Sequence, residues 1–164
     1  PGTPGDLGLN VVPTEHPRGR VTEVRFGPVG ERMLTGMHRA IAAFAAAGND
    51  VIVDDLLLGP HLLEDYVLVF SGFQVLFVGV RCDLEVVNER EGQRWGRFPG
   101  TATSHFEQVH AHGLYDLELD TGRLSPEACA DLVVARLRDP APPEAFDLLR
   151  ARLFGQDGEA AASS

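Results

Sequence analysis

The sequence predicts an α/β layer fold built on a parallel sheet. Strand-like apolar runs alternate with helical patterns along the chain. Two of the runs, 51–58 and 74–80, are apolar almost without interruption, as strands covered on both faces are. Three such strands are few for a parallel core, because they leave exposed edges. The chain also opens on PGTPGDLGLN, which reads as loop rather than strand. The expectation is a single domain over residues 1–154 that lacks one or more N-terminal strands.

Each element has its own signal. Residues 1–19 are rich in Pro and Gly and read as loop, and 20–26 as a short extended stretch around Val21 and Val24. Over 30–47, Met33, Met37, Ile41 and Phe44 recur at helical spacing, and Gly48 with Asn49 supplies the stop. The run 51–58 predicts a strand ending in Asp54-Asp55, and 60–70 a short helix. A second strand is expected over 74–80, then a helix capped by Asp83 and reaching about Glu91. Residues 90–100, REGQRWGRFPG, break the periodicity and read as a mobile loop. A helix over 102–111 and a more alternating strand over 114–119 follow. Ser125, Pro126 and Glu127 are the cap, first position and early acid of a helix running to Arg138. Pro140 to Pro143 interrupt, 144–154 form a last helix, and 155–164 read as a disordered tail.

The composition is that of a globular domain, 44% hydrophobic and 23% charged over 164 residues. The net charge of −10 argues against nucleic acid and anionic membrane as main partners, since both need a basic surface. It leaves room for a local arginine pocket. Cys82 and Cys129 are far apart and read as reduced, mostly buried thiols of a cytoplasmic protein. No run is long and apolar enough for a membrane span, and no signal-peptide pattern is visible.

Four constellations could carry chemistry, and each has a plainer reading beside it. Asp54 and Asp55 end an apolar strand, where a carboxylate can hold Mg²⁺ on nucleotide phosphates; equally, Asp there forms turns and caps. Arg90, Arg94 and Arg97 sit among glycines, as in a lid whose guanidinium forks meet phosphate oxygens. The alternative is a solvated loop paired with Glu89 and Glu91. His110 and His112, two residues apart, share no helix face and read as loop hydrogen-bonders rather than metal ligands. His38 and His105 read as ordinary helix residues. Trp95 either stacks on a base or packs the loop down. Asp120, Thr121 and Gly122 line a base pocket or make a turn. No G-x-x-x-x-G-K-[ST] phosphate loop occurs in the sequence.

The order of VIVDDLLLG, FVGVRCDLEVVNERE and VHAHGLYDLELDT resembles the chloramphenicol phosphotransferase-like family, as does the segment 26–55. The likeness runs over about residues 20–138. It implies a P-loop-kinase fold similar to shikimate and adenylate kinases: a three-layer parallel sheet with helices on both faces. It implies ATP and Mg²⁺ as cofactors and a small-molecule hydroxyl as substrate, on a chloramphenicol-type antibiotic or a metabolite. By the same resemblance Asp54 and Asp55 bind the metal, and Arg90, Arg94 and Arg97 act in the lid. Asp120 and Thr121 lie near the adenine. The family's phosphate loop and the aspartate expected to act as general base toward the substrate hydroxyl lie upstream and have no counterpart here, so the 164 residues are expected to be inactive alone. The alternatives are a catalytically dead kinase-like binding protein and an unrelated nucleotide-binding regulatory module.

Overall fold

A computed structural model of the chain describes residues 7–96 and 98–155. The chain divides into two compact units, Pro1–Gly59 with Cys82–Ala111, and Pro60–Arg81 with His112–Ser164. The tail expected beyond Gly155 lies outside the described residues.

In the first unit, β1 (Leu9–His16) and β2 (Gly19–Phe26) form an antiparallel hairpin, with Val11 opposite Val24 and Glu15 opposite Arg20. Pro17 and Arg18 make the tip. Proline fixes a negative φ at the first turn position, so the positive φ that closes the hairpin falls on Gly19, at 106°. Helix α1 (Pro28–Ala46) starts with Pro28 in its first turn and stops at Gly48, which takes φ +89°. Asn49 Nδ2 donates to the Phe44 carbonyl there, at 2.9 Å. Helices α3 (Leu84–Gln93) and α4 (Thr101–His105) complete the unit.

The second unit holds α2 (Pro60–Val69), β3 (Val78–Arg81), β4 (Leu117–Asp120), α5 (Pro126–Arg138) and α6 (Ala145–Phe154). Strands β3 and β4 are parallel, with Val78 opposite Leu117 and Arg81 opposite Asp120. Parallel neighbours need a long connection, and residues 82–116 supply it. The buried apolar side chains of this unit are Leu62, Leu63, Tyr66, Val67, Phe70, Leu119, Ala145 and Leu149. Gly79 has no Cβ because the Tyr115 ring lies against it; a Cβ there would sit 2.8 Å from ring carbons. Asp116 joins β4 to α6. Its carboxylate accepts the Phe77 N–H at 2.8 Å and, at the start of α6, the N–H groups of Glu144 and Ala145 at 2.6 and 2.9 Å. Ser125 caps α5 as expected, accepting from Ala128 N–H.

Several expectations need correction. Among the described residues the strands form two two-stranded sheets, not one three-layer parallel sheet. Residues 51–58 are irregular chain rather than a buried strand, and Ile52 is 99% exposed. A strand needs a hydrogen-bonding neighbour, and no described strand pairs with this run. Conversely, 9–16 is strand and not loop; Gly and Pro on either side hide the alternation of LNVVPTEH. Pro13 is tolerated in a strand of a two-stranded hairpin, since one backbone edge of each strand is unpaired. The α1 stripe of Met33, Met37 and Phe44 is exposed, while His38 on the same helix is fully buried. Helix α4 ends at His105, six residues earlier than the expected end at Ala111. Both cysteines are free but only half-buried. No described helix is long and apolar enough to cross a membrane.

Candidate functional site

The first unit has a half-open cavity of about 430 Å³ between the hairpin tip and the α3–α4 segment. Arg18, Arg20 and Val21 line it from the hairpin. Leu84, Asn88, Glu91 and Arg94 line it from α3 and the residue after it. Arg18 lies 3.5 Å from Glu107 in an exposed pair. The guanidinium groups of Arg20 and Arg94 make no hydrogen bond or ion pair with another described residue. Arg25, farther along β2, is engaged differently. It bonds Glu23 at 2.6 Å and holds that carboxyl below its usual value.

The wall is fixed by backbone contacts. Glu91 reaches across the arginine loop, its two oxygens accepting the N–H groups of Gly100 and Ala102 at 2.8 and 2.9 Å. Those amides belong to the open start of α4, which lacks a side-chain cap of its own. Gly100 has φ +83°, and a Cβ there would sit 2.9 Å from the Val21 Cα. The far side of α4 covers the outer edge of β2. Thr22 Oγ1 donates to the Pro99 carbonyl at 2.8 Å, and Ser104 Oγ donates to the Thr22 carbonyl at 2.7 Å. His105 Nε2 accepts the Val24 N–H at 3.0 Å. Burial pushes the His105 imidazole below its ordinary value, consistent with a neutral ring acting as acceptor.

The sequence candidates distribute as follows. Arg94 lines the cavity, while Arg90 turns its guanidinium to Cys82 Sγ at 3.7 Å. Arg97 lies outside the described residues. Asp54 is exposed on the irregular run, and Asp55 accepts its neighbour Leu56 N–H at 2.7 Å with its second oxygen 3.9 Å from His38 Nε2. No group of three or more His, Cys, Asp or Glu residues suited to a metal occurs among the described residues. In the second unit Asp120 and Thr121 make a turn. Asp120 Oδ1 accepts the Gly122 N–H at 2.9 Å, and the Thr121 N–H and hydroxyl both donate to the Arg81 carbonyl. Trp95 is wholly exposed, so it does not pack the loop down. His112 bonds the Leu114 N–H and stacks on Phe77, the loop role expected of it.

Sequence reasoning missed Arg18, because residues 1–19 read as loop, and Arg20, because the extended stretch it opens had no visible partner strand. It also read Glu91 as an arginine partner, whereas its oxygens hold backbone amides. The signal for Glu91 was its place one turn before a glycine-rich loop that leads into a helix. His38 and His105, read as ordinary helix residues, are buried at 0% and 4% exposure.

Residues 14–138 match the family described as chloramphenicol phosphotransferase-like protein. Two proteins from Mycobacterium tuberculosis strains, each named "Putative O-phosphotransferase", are 33% identical to this chain over 128 residues. The match covers 78% of this chain and 57% of each relative. The chain thus spans little more than half the length of the curated relatives it matches.

Proposed function

The chain belongs to the chloramphenicol phosphotransferase-like family, and we propose that its activity is transfer of the terminal phosphoryl group of Mg²⁺·ATP to a hydroxyl of a small molecule. The carrying observation is the cavity, in which the arginine loop of the family-matched segment faces the hairpin. Phosphoryl transfer needs positioning and charge stabilisation more than covalent chemistry from the protein. Arg94, with Arg90 in the last turn of α3 and Arg97 three residues farther along the sequence, supplies cationic forks for charge on the transferred group. Asp54 and Asp55 serve Mg²⁺, which takes one or two carboxylates together with phosphate oxygens and so needs no cage of three protein ligands. Asp120 and Thr121 serve the nucleotide side. The hydroxyl belongs to a chloramphenicol-type antibiotic or a metabolite.

One observation favours a second reading. All 14 basic residues are arginines, and the sequence has no G-x-x-x-x-G-K-[ST], so neither the phosphate-cradling loop nor its lysine is among these residues. A kinase-like protein that binds a metabolite without transferring phosphate fits that fact, and the 164 residues alone are proposed to be inactive.

Radiolabelled ATP and a panel of hydroxyl compounds, offered to the protein purified from its source cells, separate the two readings. Label on a hydroxyl product supports transfer. Binding of a panel compound with no label transferred at saturating ATP overturns transfer and supports the second reading. In an active protein Arg94→Ala lowers kcat by roughly a hundredfold, as expected for a group that stabilises transition-state charge. A loss smaller than about twofold removes Arg94 from that role.

A further inference from the structure

We propose that the cavity of the first unit recognises an anionic group, a carboxylate or phosphate, carried by the acceptor molecule; the word acceptor rests on the phosphotransferase reading above. Three arginines, Arg18, Arg20 and Arg94, all exposed, line a half-open space of about 430 Å³. That volume is in the range of small-molecule pockets. A protein of net charge −10 has little reason to gather three cations around one space unless something anionic occupies it.

The charges are not cancelled locally. Glu91 is the one lining carboxylate, and both its oxygens already accept the amides of Gly100 and Ala102. Glu15, across the ladder from Arg20, makes no ion pair with it. Glu107 meets only Arg18, at 3.5 Å and with its side chain 81% exposed, a pair worth little in water. Arg20 therefore keeps its fork for the acceptor's anion, and a planar guanidinium matches the two oxygens of a carboxylate or phosphate. Arg18 and Arg20 flank Gly19 at the hairpin tip, while Arg94, after α3, meets the transferred group in the reading above. Val21 and Leu84 supply apolar wall for the rest of the molecule.

The test is calorimetric titration of the 164-residue chain, without nucleotide, with glycerol 3-phosphate, citrate and uncharged glycerol. Saturable binding of an anion, with none of glycerol, is expected. Arg20→Gln should weaken that binding about tenfold, in line with loss of one charge-assisted contact. Arg32→Gln, an exposed arginine on α1, should change it by less than about twofold. No saturable binding of either anion below about 10 mM, or binding indifferent to both Arg18→Gln and Arg20→Gln, overturns the inference. Displacement of the anion by metal-free ATP assigns the cavity to nucleotide phosphates and overturns the acceptor assignment. The two readings fail separately. Hydroxyl labelling without anion binding sinks this inference alone, whereas anion binding without labelling sinks the transferase reading and leaves an anion site.

Discussion

At the scale of single residues, two positions with no charge to offer a ligand decide whether the cavity wall holds. His105 is 4% exposed and accepts the Val24 N–H, which only a neutral ring can do. Burial lowers its proton affinity in the folded state, so the unfolded chain binds the extra proton. Stability linked to this group is therefore complete above the ordinary value of 6.5 and is lost as pH falls through the depressed folded value. Thermal melts of wild type and His105→Gln should diverge in slope between about pH 7.5 and 5.5, the variant losing less on acidification. Equal slopes would remove His105 from the pH response. Gly100 is the second position. A methyl group there meets the Val21 backbone at 2.9 Å while φ stays at +83°, so Gly100→Ala should cost about 2 kcal/mol in a urea titration. Sequence reasoning reached Arg94 because arginine among glycines is a visible pattern. It could not reach His105, since nothing in TATSH says which strand edge the ring will meet.

At the scale of elements, the shortest helix depends on a residue outside it. Helix α4 has five residues and no side-chain cap of its own, so its first amides are satisfied by Glu91 from α3. Replacing Glu91 by Ala strips both amides and should destabilise by roughly 1–2 kcal/mol, as loss of a helix cap does. Glu91→Gln keeps the acceptor and should recover part of that loss. If denaturant midpoints of the two variants coincide, the carboxylate is not what holds the loop. The same logic governs Asp116, whose three amide contacts join β4 to α6; Asp116→Ala should cost about 3 kcal/mol. Helices were the most legible elements, because caps such as Ser125-Pro126 and stops such as Gly48 are written locally. Strands were less so. VIVDDLLL carries an apolar strand pattern, yet pairing is decided by neighbours the local sequence does not name. LNVVPTEH pairs despite its proline because its partner follows two residues later.

At the scale of the whole molecule, burial is uneven between the two units. Among the described residues, the buried apolar side chains lie in Pro60–Arg81 with His112–Ser164, with Val21 the one exception. The first unit's other buried side chains, among the described residues, are the polar His38 and His105. It also exposes Ile52, Leu56, Met33 and Phe44, large apolar groups that contribute stability only when they leave water. Opening free energies should follow this division, since regions with few buried apolar contacts open most readily. Hydrogen exchange read by mass spectrometry should therefore find α2 and α6 protected longest. Segment 51–58, which has one backbone bond of its own from Leu58 N–H to the Leu56 carbonyl, should exchange earliest among the described residues outside the hairpin tip. Protection of 51–58 equal to that of β3 would mean that its amides are paired after all. Early exchange there, with β3 and β4 protected, would instead mean that the parallel pair persists without it, held by the Asp116 joint and the aromatic packing of Phe77, Tyr115 and Phe146.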